Sequence, residues 1–329
     1  MSPARRRQLV RVAQIAIVAV VLWRASLALG GQWTEFRVRG GALRADWGLA
    51  ALSAVVVLAT YALLIEAWRL VMRAWGGHLP FGAAARIWSV SNLGRYLPGK
   101  VWSIAAMGML ARRAGVSAVA ATGSSILVTL VNIAAGFAVL LLAGSRALAV
   151  VAPGEAGKRI AVAVAAAVTV GLVALPWALP SLARLAVRLL RREVVLPTIA
   201  PAQLSLVVLA NVAAWFGYGA AFLLLARAVL PGGAPGALSA GSWLDATAVF
   251  TASYLAGYLA LVVPGGLGVR ELAMVAVLTG LGITGSVEAW LLALASRLWL
   301  TALELLPGLL FLARDAVARS PSTTPDAPS

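Results

Sequence analysis

Two short stretches of this sequence combine a Pro-Gly break with basic side chains in otherwise apolar surroundings. The first is SNLGRYLPGKVW, residues 91–102, with Asn92, Arg95, Pro98, Gly99 and Lys100. The second is PGGLGVRE, residues 264–271, with Pro264, Gly265, Gly266, Gly268, Arg270 and Glu271. A helix that begins after a break leaves backbone N–H groups without partners, and those groups, with the helix dipole, favour an anion. Lys100 lies in the first turn after Pro98-Gly99, and Arg270 holds the corresponding place after the second break. Each break is therefore a candidate cradle for a phosphate, with Arg95, Lys100 and Arg270 as its cations. The plainer alternative is a kink that serves packing, because Gly and Pro are frequent in membrane helices.

Charge inside an apolar segment is costly and calls for a partner. For Glu271 the candidates are the adjacent Arg270, which a helix would point elsewhere, and Arg297. Glu304 follows Arg297 by seven residues, on the same helical face. Glu66 and Arg69, three apart, form another candidate pair. These groups are either ion pairs that fix helix register, or one of Glu66, Glu271 and Glu304 is a proton-coupling carboxylate. The residue types do not choose between those roles. Asn132 and Asn211 read as interhelical hydrogen-bond formers.

Other chemistries find little support. The chain has no Cys and a single His, His78 beside a Gly-Gly turn, which argues against thiolate catalysis and a transition-metal site. There is no Walker loop, no H-E-x-x-H and no carboxylate cluster suited to a metal. GVSAVAATGSS, 115–125, lacks the G-x-S-x-G turn of a serine hydrolase and reads as close helix packing. The expectation is a protein that is not an enzyme, with no catalytic residues, no metal and no cofactor.

The elements that must position these residues are membrane helices. The chain is 62% hydrophobic and only 12% charged, where a soluble domain carries about 25% charged residues. Apolar runs long enough to cross a bilayer recur throughout, and the alternating segments of a β-barrel are absent. The fold class is all-α, a polytopic helical membrane protein with two broken or re-entrant segments. A net charge of +16 would suggest nucleic acid in a soluble protein. Here the cations sit mainly in short loops, where they set topology and meet anionic headgroups, so no nucleic-acid partner is expected.

The expected spans are 10–30 (an uncleaved first span, with Arg24 snorkelling), 47–72, 117–143, 160–180, 203–229, 244–263 and 286–312. Between the second and third lies a hairpin of two short helices, 82–95 and 100–112, which is tolerated at membrane depth only inside protein or beside a water-filled cavity. A short helix to 281 follows the second break. Residues 181–194, with Arg184, Arg188, Arg191 and Arg192, read as a separate interfacial helix. One transmembrane domain, 1–314, has halves at 10–145 and 160–314, and a disordered tail fills 315–329. Placing both termini in the cytoplasm puts most Lys and Arg inside, including Arg69, Arg73, Arg112, Arg113 and Arg314. One broken apolar segment in each half points to a transporter with its binding site near the midplane.

GRYLPGKVW and PGGLGVRE together resemble the lysylphosphatidylglycerol synthase transmembrane-region family, also described as flippase-like, over residues 10–315. The resemblance implies about eight helical spans with re-entrant segments. It also implies a role in moving lipids or lipid-linked groups between leaflets. It places the motif positions at Asn92, Arg95, Pro98, Gly99, Lys100, Pro264, Gly265, Gly268, Arg270 and Glu271. Members often carry a Glu-Arg pair and an Asp in the span after the first motif, where this chain has SSILVTLVN. Bifunctional members add a large soluble aminoacyl-transferase domain that the short segment after the last span cannot supply. The expected partners are the cell membrane and an anionic phospholipid or lipid-linked saccharide. The alternative is a non-transporting partner or scaffold of a glycosyltransferase or other lipid-modifying enzyme.

Overall fold

The computed structural model describes residues 45–96, 101–152, 154–190, 198–230, 243–260 and 266–319. The expected first span, 10–30, lies outside them. So do Pro98, Gly99, Lys100, Pro264, Gly265, Arg191 and Arg192, and Arg95 is described in its backbone alone.

Among the described residues the chain is all-helical. The helices are α1 (Trp47–Ala74), α2 (Phe81–Asn92), a 3-10 turn (Leu93–Tyr96), α3 (Val101–Arg113), α4 (Ala118–Ala143), α5 (Ser145–Val151), α6 (Glu155–Leu190), α7 (Pro201–Val229), α8 (Trp243–Leu259), α9 (Val269–Gly280) and α10 (Ser286–Arg319). Five of them, α1, α4, α6, α7 and α10, are long and apolar enough to cross a membrane. The segment expected as a sixth span, α8, ends after 17 residues. This is a multi-pass helical membrane protein.

Local chemistry sets several boundaries. The Asp46 carboxylate accepts from Gly48 N–H (2.9 Å) and Leu49 N–H (3.0 Å), capping α1. Ser117 Oγ accepts from Ala120 N–H and does the same for α4. The expected interfacial helix at 181–194 is not separate: α6 runs unbroken through Pro176 and Pro180 to Leu190. In hydrocarbon, a chain that stopped at either Pro would expose further backbone groups, so continuing the helix is the cheaper solution. Similarly, α10 passes the boundary expected at 314 and runs on to Arg319.

Close contacts establish how the broken segments enter. A Cβ on Gly77, before α2, would lie 2.7 Å from Val116 Cγ1, after α3. The segment α2–turn–α3 is therefore a hairpin whose two outer ends share one face of the molecule. Arg69, Arg73, Arg112 and Arg113 gather there, and Arg86 pairs with Asp315 at the far end of α10. The hairpin α8–α9 enters from the opposite face. Gly144, at the end of α4, meets Ala248 near the start of α8, and Gly280, at the end of α9, meets Val150 of α5. The α1 helix lies antiparallel to α7, with Asp46 N–H donating to Ala228 carbonyl at their shared end. Two re-entrant hairpins thus point toward each other from opposite faces, inside a frame of full-length helices.

Candidate functional site

The second break is built around glycine. Gly268 caps α9 at φ +79° and Gly266 precedes it at φ +65°, both in the left-handed region. A Cβ on Gly266 would lie 2.6 Å from Gly257 carbonyl oxygen, so the hairpin closes backbone against backbone. Glu271 then reaches back. Its Oε2 accepts from Gly268 N–H at 2.6 Å, and its Oε1 accepts from Arg297 Nη1 at 3.2 Å. At this helix start Glu271 takes the Gly268 N–H, so that donor is not open to an outside anion. A carboxylate three residues into a helix has the right reach, and the dipole favours it there. Glu271 is 6% exposed and ties the hairpin tip to α10.

Arg270, one residue earlier, faces the other way, as helical spacing requires. It is 8% exposed. Its guanidinium lies over the rings of Phe250 (5.2 Å) and Tyr254 (5.3 Å), and Nη2 donates to Ser296 Oγ at 3.0 Å. Beyond these contacts, Glu271 and Glu304 attract it and Arg297 repels it through space. A guanidinium has five N–H donors, and just one is used here.

The remaining donors have a cavity of about 170 Å³ beside them, open at its mouth. Arg270 lines it from the second hairpin, with Gly257 and Tyr258, while Asn92, Trp88 and Ser103 line it from the first. The two broken segments therefore meet across one space. The frame helices contribute Tyr61 from α1, Thr129 and Asn132 from α4, Asn211, Trp215 and Tyr218 from α7, and Arg297, Thr301 and Glu304 from α10. Asn132 Nδ2 donates to Asn211 Oδ1 (3.0 Å), and Trp215 Nε1 donates to Asn132 carbonyl (2.9 Å). The asparagines thus bridge helices as expected. Glu304 is 9% exposed and accepts from Tyr61 Oη at 3.4 Å.

Four of the chain's five tyrosines, Tyr61, Tyr218, Tyr254 and Tyr258, line this cavity. Trp215 packs edge-on against Tyr218 and Tyr254, and Phe250 stacks between Tyr218 and Tyr254. Sequence reasoning missed this aromatic wall. The available signal was the scarcity of tyrosine together with its placement inside apolar runs, where a hydroxyl needs a polar neighbour.

Glu66 and Arg69 are not part of the cavity. Glu66 accepts from both Arg69 and Arg73 near the end of α1, and Arg69 Nε donates to Leu79 carbonyl, holding the loop that leads into the first hairpin. Gly266 and Gly268 shape the second hairpin's tip without lining the cavity. His78 sits in the exposed loop before α2.

The site can therefore hold an anionic group at Arg270 and polar, ring-shaped or hydroxylated groups along its asparagine and aromatic walls. Among curated proteins, none matches this chain. The model of the lysylphosphatidylglycerol synthase TM region matches residues 11–308, nearly the whole length. The chain belongs to the lysylphosphatidylglycerol synthase transmembrane-region family.

Proposed function

We propose that the protein is a flippase-like transporter that carries an anionic lipid or lipid-linked saccharide between the leaflets of the cytoplasmic membrane. One observation carries this reading: Arg270 is a buried cation with one hydrogen bond among the described residues, packed beside two aromatic rings and lining a cavity at the meeting point of two opposed hairpins. Glu271 and Glu304 attract this charge through space without a hydrogen bond to it, and a buried cation with unused donors is unfavourable. A phosphate or other headgroup anion at the cavity end of Arg270 would use its remaining donors. Asn92, Asn132 and the tyrosines would take the hydroxyls of a glycerol or saccharide. The protein moves its substrate without a covalent step and needs no cofactor.

The arrangement of the hairpins supports alternating exposure. Each is anchored at a different face, so small movements of one or the other would open the cavity to opposite leaflets. The face bearing Arg69, Arg73, Arg112 and Arg113 is cytoplasmic, by the positive-inside rule, and α10 ends on that face.

Mass spectrometry of gently extracted protein tests the binding step. Wild type should retain an anionic lipid that Arg270→Gln loses, and the variant should exchange fluorescent phosphatidylglycerol more slowly in proteoliposomes. Equal retention and equal exchange would refute the reading. A copurifying glycosyltransferase, with no exchange by the chain alone, would favour a scaffold instead.

A further inference from the structure

A second, apolar hollow of about 180 Å³ adjoins the cavity between α1, α2 and α10. Tyr61, Trp88, Asn92 and Glu304 border both spaces, so the two share a rim. Away from that shared rim the lining turns to hydrocarbon, with Leu58, Ala62, Ala85 and Phe311. Leu58 and Phe81 are each 43% exposed on the outer surface, the surface that faces lipid in a membrane protein. The polar end of this path is thus at the centre of the bundle, and its apolar end is in the bilayer.

A further feature marks the path. Pro307, in α10, lacks the N–H that would bond Leu303 carbonyl, and both residues border the hollow. The wall on that side is therefore the place where α10 bends most readily.

We infer that this hollow is a lateral slot for one hydrocarbon chain of the transported amphiphile, with the head-to-tail linkage at the rim formed by Tyr61, Asn92 and Glu304. The inference rests on the proposed function, because the amphiphile's headgroup is the occupant assigned to the cavity. The slot lets the headgroup cross through a polar interior while the tail stays in lipid. A soluble anion would leave the slot unused.

The test uses full-length protein in phosphatidylcholine vesicles containing a phosphatidylglycerol with a diazirine midway along one acyl chain. Photolabelling should concentrate on the slot, at Leu58, Ala62, Ala85 and Phe311. Ala62→Trp and Ala85→Trp should abolish that concentration. They should also slow exchange by roughly tenfold, the factor that an overpacking penalty of about 1.4 kcal/mol produces. Ala85→Leu, a smaller filling, should give a graded loss if the larger variants fold poorly. Labelling spread evenly over the outward faces of all helices, unchanged by these substitutions, overturns the slot. Arg270→Gln separates the two readings. If slot labelling persists and exchange depends on Ala62 but not on Arg270, the headgroup site is refuted while the slot stands.

Discussion

Replacing Arg270 with Gln should weaken binding and leave stability nearly unchanged. An Arg near the middle of a membrane helix costs about 3 kcal/mol on insertion scales. Its two desolvated ring contacts return about 1–2 kcal/mol each, and its charged hydrogen bond to Ser296 about 1.5 kcal/mol. Gln removes the cost of the buried cation together with most of these returns, so the unfolding temperature in detergent should stay close to that of wild type. Binding should weaken, because a charge-assisted contact to an anion is worth about 2 kcal/mol, or roughly thirtyfold in affinity. Glu271→Gln is the contrasting control. It removes the charge that Glu271 pairs with Arg297 and weakens the cap at Gly268, and should destabilise by about 3 kcal/mol. The assays are thermal unfolding followed by tryptophan fluorescence, and retention of anionic lipid by mass spectrometry. If Arg270→Gln unfolds as early as Glu271→Gln while retaining its lipid, Arg270 holds the fold together and the argument for an anion site is wrong.

Other consequences can be measured separately. Gly266→Ala adds a Cβ 2.6 Å from Gly257 carbonyl oxygen at a backbone φ of +65°, and should destabilise by about 3 kcal/mol in thermal unfolding. Asn211→Leu leaves Asn132 Nδ2 without its acceptor and should cost about 1 kcal/mol in the same assay. Because the chain has no Cys, single-cysteine labelling reads out topology directly. With an impermeant maleimide, His78→Cys should react from the cytoplasmic side and Gly154→Cys from the other, and labelling of both from one side would contradict the opposed hairpins.

Much of the helix plan was legible in the residues. The first hairpin was expected at 82–95 and 100–112, and its helices run from Phe81 to Asn92 and from Val101 to Arg113. Pro and Gly act on the backbone within a residue or two, so a break written in sequence stays in place. The bridging role of Asn132 and Asn211 was also legible, because a buried amide in an apolar span has few alternatives. For Glu271, spacing excluded its neighbour and left Arg297, the partner it has.

What sequence alone determined is local: a helical membrane protein, the positions of its two breaks, and which charges needed partners. Hydropathy and proline chemistry depend on a few adjacent residues. What tertiary structure decided is which surfaces meet. The hairpins enter from opposite faces because Gly77 packs on Val116 while Gly280 packs on Val150, contacts between residues far apart in the chain. The same packing turns Glu271 toward Arg297 and Arg270 toward the cavity, gathers four tyrosines around it, and leaves Glu66 at the end of α1. These choices depend on the sum of many weak contacts between helices, and no single window of the sequence contains that sum.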